Sequence, residues 1–269
     1  MESFISLTVE ELTVLLSTAD FPEEARTLIQ ERLNTEDVRI FEAVFQAAVN
    51  QLRVKKIWNV EKERQGVNPI DAKVMDFITM LATSEFMIRA TNQKKNNTLV
   101  LHYLSLDSWL YQHIEDGVIH EFAFVEKKEI PTLLNEFYSV DFAENSESKS
   151  FRLTDEQFDS LKNPENELTI RNQVQSSSGE TQAFTHFMKA LSQNDYKLDN
   201  ISVFSIDKER QLYLENLVFF CHTDGETWLA SYDNSHEKSV SIKKVRGEAW
   251  KDNIEGILDF SYDLLYNRN

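Results

Sequence analysis

A helix start written twice is the strongest constraint on this chain. Leu7-Thr8-Val9-Glu10-Glu11-Leu12 and Leu153-Thr154-Asp155-Glu156-Gln157-Phe158 follow one design. In each, a threonine can cap the free amides at a helix head, and a Glu or Gln three residues on can reach back to the threonine's own amide. Apolar residues outside the box can staple across it, Leu7 with Leu12 and Leu153 with Phe158. One such box is common. Two with matching staples, each opening helices and then strands, point to two related halves. The competing reading is chance likeness of helix starts, so the order of elements decides.

The first half reads as helices up to Thr83. After the first helix, a second amphipathic one spans Glu23 to Leu33. A third starts at Thr35 and carries Val38, Phe41, Val44, Phe45, Ala48, Val49 and Leu52 as one full core-facing stripe. Ile57-Trp58 is extended. Asn68-Pro69 reads as an N-cap followed by proline at the first helical position and opens a fourth helix through Thr83. From Ser84 to Val125 the period becomes alternating, giving four strands with turns near Lys94 to Asn97, at Asp107-Ser108 and at Asp116-Gly117. A helix follows from Glu126 to Phe137. Residues 1–140 thus form an N-terminal α+β half, and the polar stretch 141–150 is a linker.

Residues 151–269 repeat the order more briefly. Helices lie at Thr154 to Leu161, Glu165 to Val174 and Glu180 to Leu191, then strands at Ile201 to Ile206, Leu212 to His222, Trp228 to Tyr232 and Val240 to Val245. The middle pair of strands is joined by a second Asp-Gly turn, Asp224-Gly225, and a terminal helix runs from Glu248 to Tyr266. The predicted fold class is α+β, two pseudo-repeated halves sharing a central antiparallel sheet flanked by helical bundles, compact as one domain.

Composition then excludes partners. A formal net charge of -17 opposes nucleic acid and anionic membrane surfaces, whose binding draws on clustered Lys and Arg. No apolar run is long enough for a membrane span, and Met1-Glu2-Ser3-Phe4-Ile5-Ser6 lacks a signal peptide's basic start and apolar core, so a cytoplasmic location is expected. One cysteine, Cys221, and six glycines leave no material for a disulfide, a cysteine zinc site or a glycine-rich phosphate loop. No cofactor is expected.

The order of pieces resembles the EspG family, cytosolic chaperones of type VII (ESX) secretion. The stretches that carry the likeness are Leu7 to Leu12, the helix from Phe41 to Leu52 running into Ile57-Trp58, Asn68-Pro69-Ile70 ahead of a helix, and the meander from Phe86 to Val125. The resemblance implies a quasi-two-fold α+β plan, no catalysis, binding of helical-hairpin cargo before export, and a weak contact with the secretion ATPase machinery. The chain departs from that family in being poor in Ala, Gly and Arg and rich in Lys, Asn, Glu and Phe. This bias implies a low-GC Gram-positive source and cargo of the WXG or LXG type.

Candidate sites follow from the strands. With two-residue turns at Asp116-Gly117 and Asp107-Ser108, His120 faces His113 and His113 faces His102, and three imidazoles would line one face. Such a row can bind zinc or support a metal-dependent hydrolase. The same face carries Val100, Leu104, Trp109, Tyr111, Phe122 and Phe124, so plain core packing competes, and no metal is assigned. For a protein partner the expected contacts are Asp107, Ser108, Trp109 and Tyr111 with Trp250, Ile254 and Leu258 on the terminal helix, since aromatic anchors dominate interface energy. Cys221 and His222 are strand neighbours pointing to opposite faces, which argues against a nucleophile and base pair. Paired acids such as Glu10-Glu11 and Glu23-Glu24 belong to first helical turns. An antitoxin-like or immunity-like binding protein fits the same acidic surface.

Overall fold

Both capping boxes close as expected, and each is preceded by a short strand. The computed structural model describes residues 4–32, 37–140, 149–174, 178–223, 225–232 and 239–267. At the first box Thr8 accepts the Glu11 amide at 3.2 Å and donates its own amide to Glu11 Oε2 at 2.8 Å. At the second, Thr154 accepts the Gln157 amide at 3.3 Å and donates to Gln157 Oε1 at 3.0 Å. The strand β1 (Ile5–Thr8) leads into α1 (Val9–Thr18), and β6 (Ser150–Leu153) into α7 (Asp155–Ser160). The staple residues Leu7, Leu12, Leu153 and Phe158 are all buried.

Between them lie α2 (Pro22–Arg32), α3 (Val38–Val54), α4 (Val60–Arg64), α5 (Ala72–Thr83), β2 (Phe86–Asn92), β3 (Asn97–Ser105), β4 (Ser108–Glu115), β5 (Ile119–Glu126) and α6 (Ile130–Tyr138). After α7 come α8 (Glu167–Val174), α9 (Ser178–Gln193), β7 (Asp199–Ile206), β8 (Leu212–Thr223), β9 (Glu226–Tyr232), β10 (Val240–Val245) and α10 (Gly247–Asn267). The strands form one ten-stranded sheet of order β1-β5-β4-β3-β2-β7-β8-β9-β10-β6. The α+β architecture with one large sheet and flanking helices is therefore as predicted, with five strands in each half rather than four. If β6 to β10 are matched to β1 to β5, the second five stand in the reverse order of the first.

Three local expectations are corrected. Asn68 does not cap a helix; its side chain accepts the Ile70 amide at 2.9 Å in a turn, and α5 begins later with Asp71 accepting from Lys73. Helix α3 is capped by Asp37, which accepts the Arg39 amide, while Thr35 lies outside the described residues. Its stripe is buried at one end alone: Ala48, Val49 and Leu52 are enclosed, whereas Val38 is 66% and Phe45 37% exposed. The linker residues 141–148 and Asp224 of the second Asp-Gly turn also lie outside the described residues.

Packing separates two units. The first comprises Met1–Met87 with Val100–Lys127. Its core joins Leu12, Leu15, Leu52, Phe77 and Ile78 from the helices to Leu110 and Phe122 from β4 and β5. The second comprises Ile88–Leu99 with Lys128–Asn269. In it the adjacent residues Phe220 and Cys221 point to opposite faces of β8, as strand geometry requires. Cys221 joins Phe184, Phe187, Met188 and Trp228 under α7 to α9. Phe220 packs edge-on against Tyr138 of α6 at 4.6 Å and Trp250 of α10 at 4.8 Å.

Candidate functional site

Register settles the histidines. The β4–β5 hairpin pairs Glu115 with Ile119, leaving Asp116-Gly117-Val118 as a three-residue turn with positive φ at Asp116 (51°) and Gly117 (67°). That extra residue puts Ile114 opposite His120 and His113 opposite Glu121. The β3–β4 connection is Leu106-Asp107, one residue before the expected turn. The row of three is therefore broken. His113 Nδ1 stands 3.6 Å from Glu121 Oε2 on one face. On the other, Gln112 bridges the buried rings, its Oε1 2.9 Å from His102 Nε2 and its Nε2 2.8 Å from His120 Nδ1. With the amide in this orientation, His102 donates through Nε2–H and His120 accepts at Nδ1. Burial pushes each imidazole down to about 4, so both rings are neutral at pH 7. Among the described residues no group of three His, Cys, Asp or Glu side chains is arranged to hold a metal ion.

The expected partner residues divide by burial. Trp109 is fully enclosed, with its ring edge-on to Tyr103 at 5.4 Å and Phe86 at 6.3 Å. Trp250 is 1% exposed and donates its indole N–H to Asn135 Oδ1 at 2.7 Å, and Ile254 and Leu258 are buried beside it. These four hold the fold, as large apolar side chains do when a helix or sheet covers them. Tyr111 is half-buried, and Asp107 is exposed. Ser108 lines an open cleft of about 490 Å³ in the first unit, with Met80, Thr83, Ser84, Glu85, Tyr103, Leu104, Ser105 and Phe124. Phe124 is 48% exposed and leans on Phe4 at 5.6 Å, which itself meets the core ring Phe77 at 5.4 Å.

A second apolar surface lies in the second unit, at residues that sequence pattern alone does not single out. A bulge between Val203 and Phe204 resets the β7–β8 register, so Phe204 pairs with Leu214 and Ile206 with Leu212, while Ser202 pairs with Leu217. The displaced residue, Glu215, bonds Ser205 Oγ at 2.5 Å. Phe204, Ile206, Leu212, Leu214 and Leu217 consequently share the face that carries Phe219 further along. Phe219 is partly covered by Phe158 of α7, with ring centroids 5.7 Å apart. Beyond it the face opens: Leu212 and Leu214 are each 53% exposed, and Phe204, Ile206 and Leu217 are half-buried. A contiguous apolar sheet face of this kind is uncommon on a chain that works alone. The apolar run Leu212, Leu214, Leu217, Val218, Phe219, Phe220 is visible in the sequence, but the bulge that gathers its first half on one face is not.

Cys221 offers no chemistry here. Burial pushes its thiol up to about 12, and His222 beside it bonds Thr227 Oγ1 at 2.8 Å through Nδ1. Among the described residues no helix is long and apolar enough to cross a membrane.

Comparison with known proteins places the chain. No curated protein matches it. Among solved structures, the chain is similar to the type VII secretion system chaperone EspG5 of Mycobacterium tuberculosis, determined in complex with the PE25-PPE41 dimer. The two are 12% identical with a TM-score of 0.56, over 96% of this chain and 95% of that one, a likeness of fold. The family model described as "Uncharacterised protein YfjC" matches residues 4–254, nearly the full length, and the chain belongs to that family.

Proposed function

We propose that this protein is a non-enzymatic cytoplasmic chaperone or adaptor that holds a helical secreted protein of a type VII system before export. The observation that carries the reading is the whole-length likeness of fold to a type VII secretion system chaperone solved in complex with the PE25-PPE41 dimer. The surface that fits the task is the open β7–β8 face. An apolar helical tip laid on Phe204, Ile206, Leu212, Leu214 and Leu217 would bury groups that water now touches, at about 25 cal/mol per Å² of apolar surface removed. The formal charge of -17 favours solubility of the loaded complex. Cargo of the helical-hairpin WXG or LXG type, and handover to the secretion ATPase, belong to the same reading.

Co-expression of the tagged protein with the small helical proteins encoded beside it, followed by size exclusion and mass determination, tests it. A complex of defined stoichiometry is expected, and Leu212→Asp with Leu214→Asp should abolish it while the variant elutes as a folded protein. Elution of the wild type alone with every such partner would overturn the reading. Complex formation that survives both substitutions would move the contact away from the β7–β8 face.

A further inference from the structure

Strand β7 begins at Asp199, a carboxylate 5% exposed, and this end of the strand is tied to the β2–β3 turn. Asp199 Oδ1 accepts the Gln93 N–H at 2.8 Å. The turn is also tied from other sides. Lys197 Nζ donates to the Gln93 carbonyl at 3.4 Å, Lys94 Nζ to the Gln193 carbonyl at 3.1 Å, and Lys95 Nζ to Ser139 Oγ at 3.1 Å. Within the turn, the Lys95 N–H donates to Asn92 Oδ1 at 3.0 Å, and Asn96 has a φ of 53°. A four-residue turn with one residue at positive φ is thus fastened to the end of α9, to the connection into β7 and to the end of α6, all within the second unit.

The charged and titratable groups around Asp199 come from each of these elements. Lys94 and Lys95 belong to the turn and Lys197 to the connection. Tyr138 comes from α6 and donates its O–H to the Asn200 carbonyl at 2.7 Å, and Cys221 comes from β8. Burial lifts Asp199 to about 6, while the Gln93 amide and then Lys95 and Lys94 pull it back. Burial first, and Asp199 second, push Tyr138 and Cys221 upward, so both keep their protons at neutral pH. A carboxylate bond to a backbone N–H is charge-assisted and weakens when the charge is removed.

We propose that Asp199 is a proton-operated latch on the β2–β3 turn. Ionised, it draws the Gln93 amide and the neighbouring ammonium groups onto the head of β7. Protonated, it keeps its buried place and the turn loosens. This device stands apart from the binding reading and needs no partner for its test. The sign is set by the raised affinity for a proton: the folded chain takes one up at Asp199 at a higher pH than the unfolded chain does, so protonation is favoured by the fold even as the turn is released.

The test uses the 15N-labelled full chain, with the Gln93 amide resonance and the fast backbone motion of residues 93–96 followed from pH 8 to 5. A single-proton transition centred near pH 6 is expected at Gln93, with larger motion in the turn below it. Lys95→Gln, which removes a cation that favours the carboxylate, should move the midpoint upward. Asp199→Asn, which keeps an acceptor oxygen for Gln93, should abolish the transition. A Gln93 amide that titrates in the ordinary carboxylate range near about 4, or does not move, overturns the proposal. So does turn motion that stays constant across the transition. If Asp199→Asn fails to fold, the midpoint and turn motion of the wild type decide between these outcomes.

Discussion

His102 and His120 sit in the fold as neutral rings sharing one amide, and that arrangement sets an acid limit on stability. Their folded-state pKa lies near 4 against an ordinary 6.5, so the unfolded chain binds more protons between those values. The stability tied to the neutral rings is complete above pH 6.5 and drains as pH falls toward 4, by up to about 3 kcal/mol per ring. Urea titrations from pH 7.5 to 4.5 should show this loss, and His102→Gln with His120→Gln should flatten it. Gln112→Leu removes the shared partner and leaves a buried donor and a buried acceptor, costing about 1 to 3 kcal/mol for each at pH 7.5. Asp199 works in the opposite direction, favouring the fold as pH falls through 6. The sequence displays the histidines but not their grouping, because a single added turn residue, Val118, moves His113 across the sheet from His120.

At the scale of elements, the two capping boxes differ in what they hold. Thr154→Ala should cost about 1 kcal/mol in urea unfolding, the ordinary worth of a cap. The first box carries more, because Glu11 is fully buried and its Oε2 also takes Lys55 Nζ at 2.7 Å, while the same ammonium donates to the Ser6 carbonyl at 2.9 Å. Glu11→Ala should therefore exceed Thr154→Ala by at least about 1 kcal/mol, since it also removes the ion pair to Lys55 at the end of α3. Equal costs for the two would mean that Lys55 adds nothing to the cap. Helix starts are legible because capping chemistry is local and written within four residues. Strands β1 and β6 are not, because four residues give alternation too little length to register and their pairing comes from distant β5 and β10. Asn68-Pro69 misleads for a related reason: the same pair that can start a helix also makes a tight turn, and the choice falls to the Trp58–Ile70 bridge that follows.

For the whole molecule, the order of helices and strands is the most legible level, since it needs element type and sequence but no register. Which faces stay open is the least legible. Burial is decided by neighbours far along the chain: Asn135 and Tyr138 of α6 and Phe220 of β8 enclose Trp250, while Leu212 and Leu214 are left to solvent. Substituting Leu212 and Leu214 with Asp should leave the midpoint of thermal unfolding within a few degrees, in contrast to Trp250→Ala, which should cost about 3 to 5 kcal/mol. The ten strands end at β1 on one side and β6 on the other, each four residues long and each turning at once into a helix. Among the described residues, each margin strand offers a visiting chain only a short run of backbone groups to pair with. Such a sheet is a poor seed for fibres, and what it presents to its surroundings is the side chains of its faces more than the backbone of its margins.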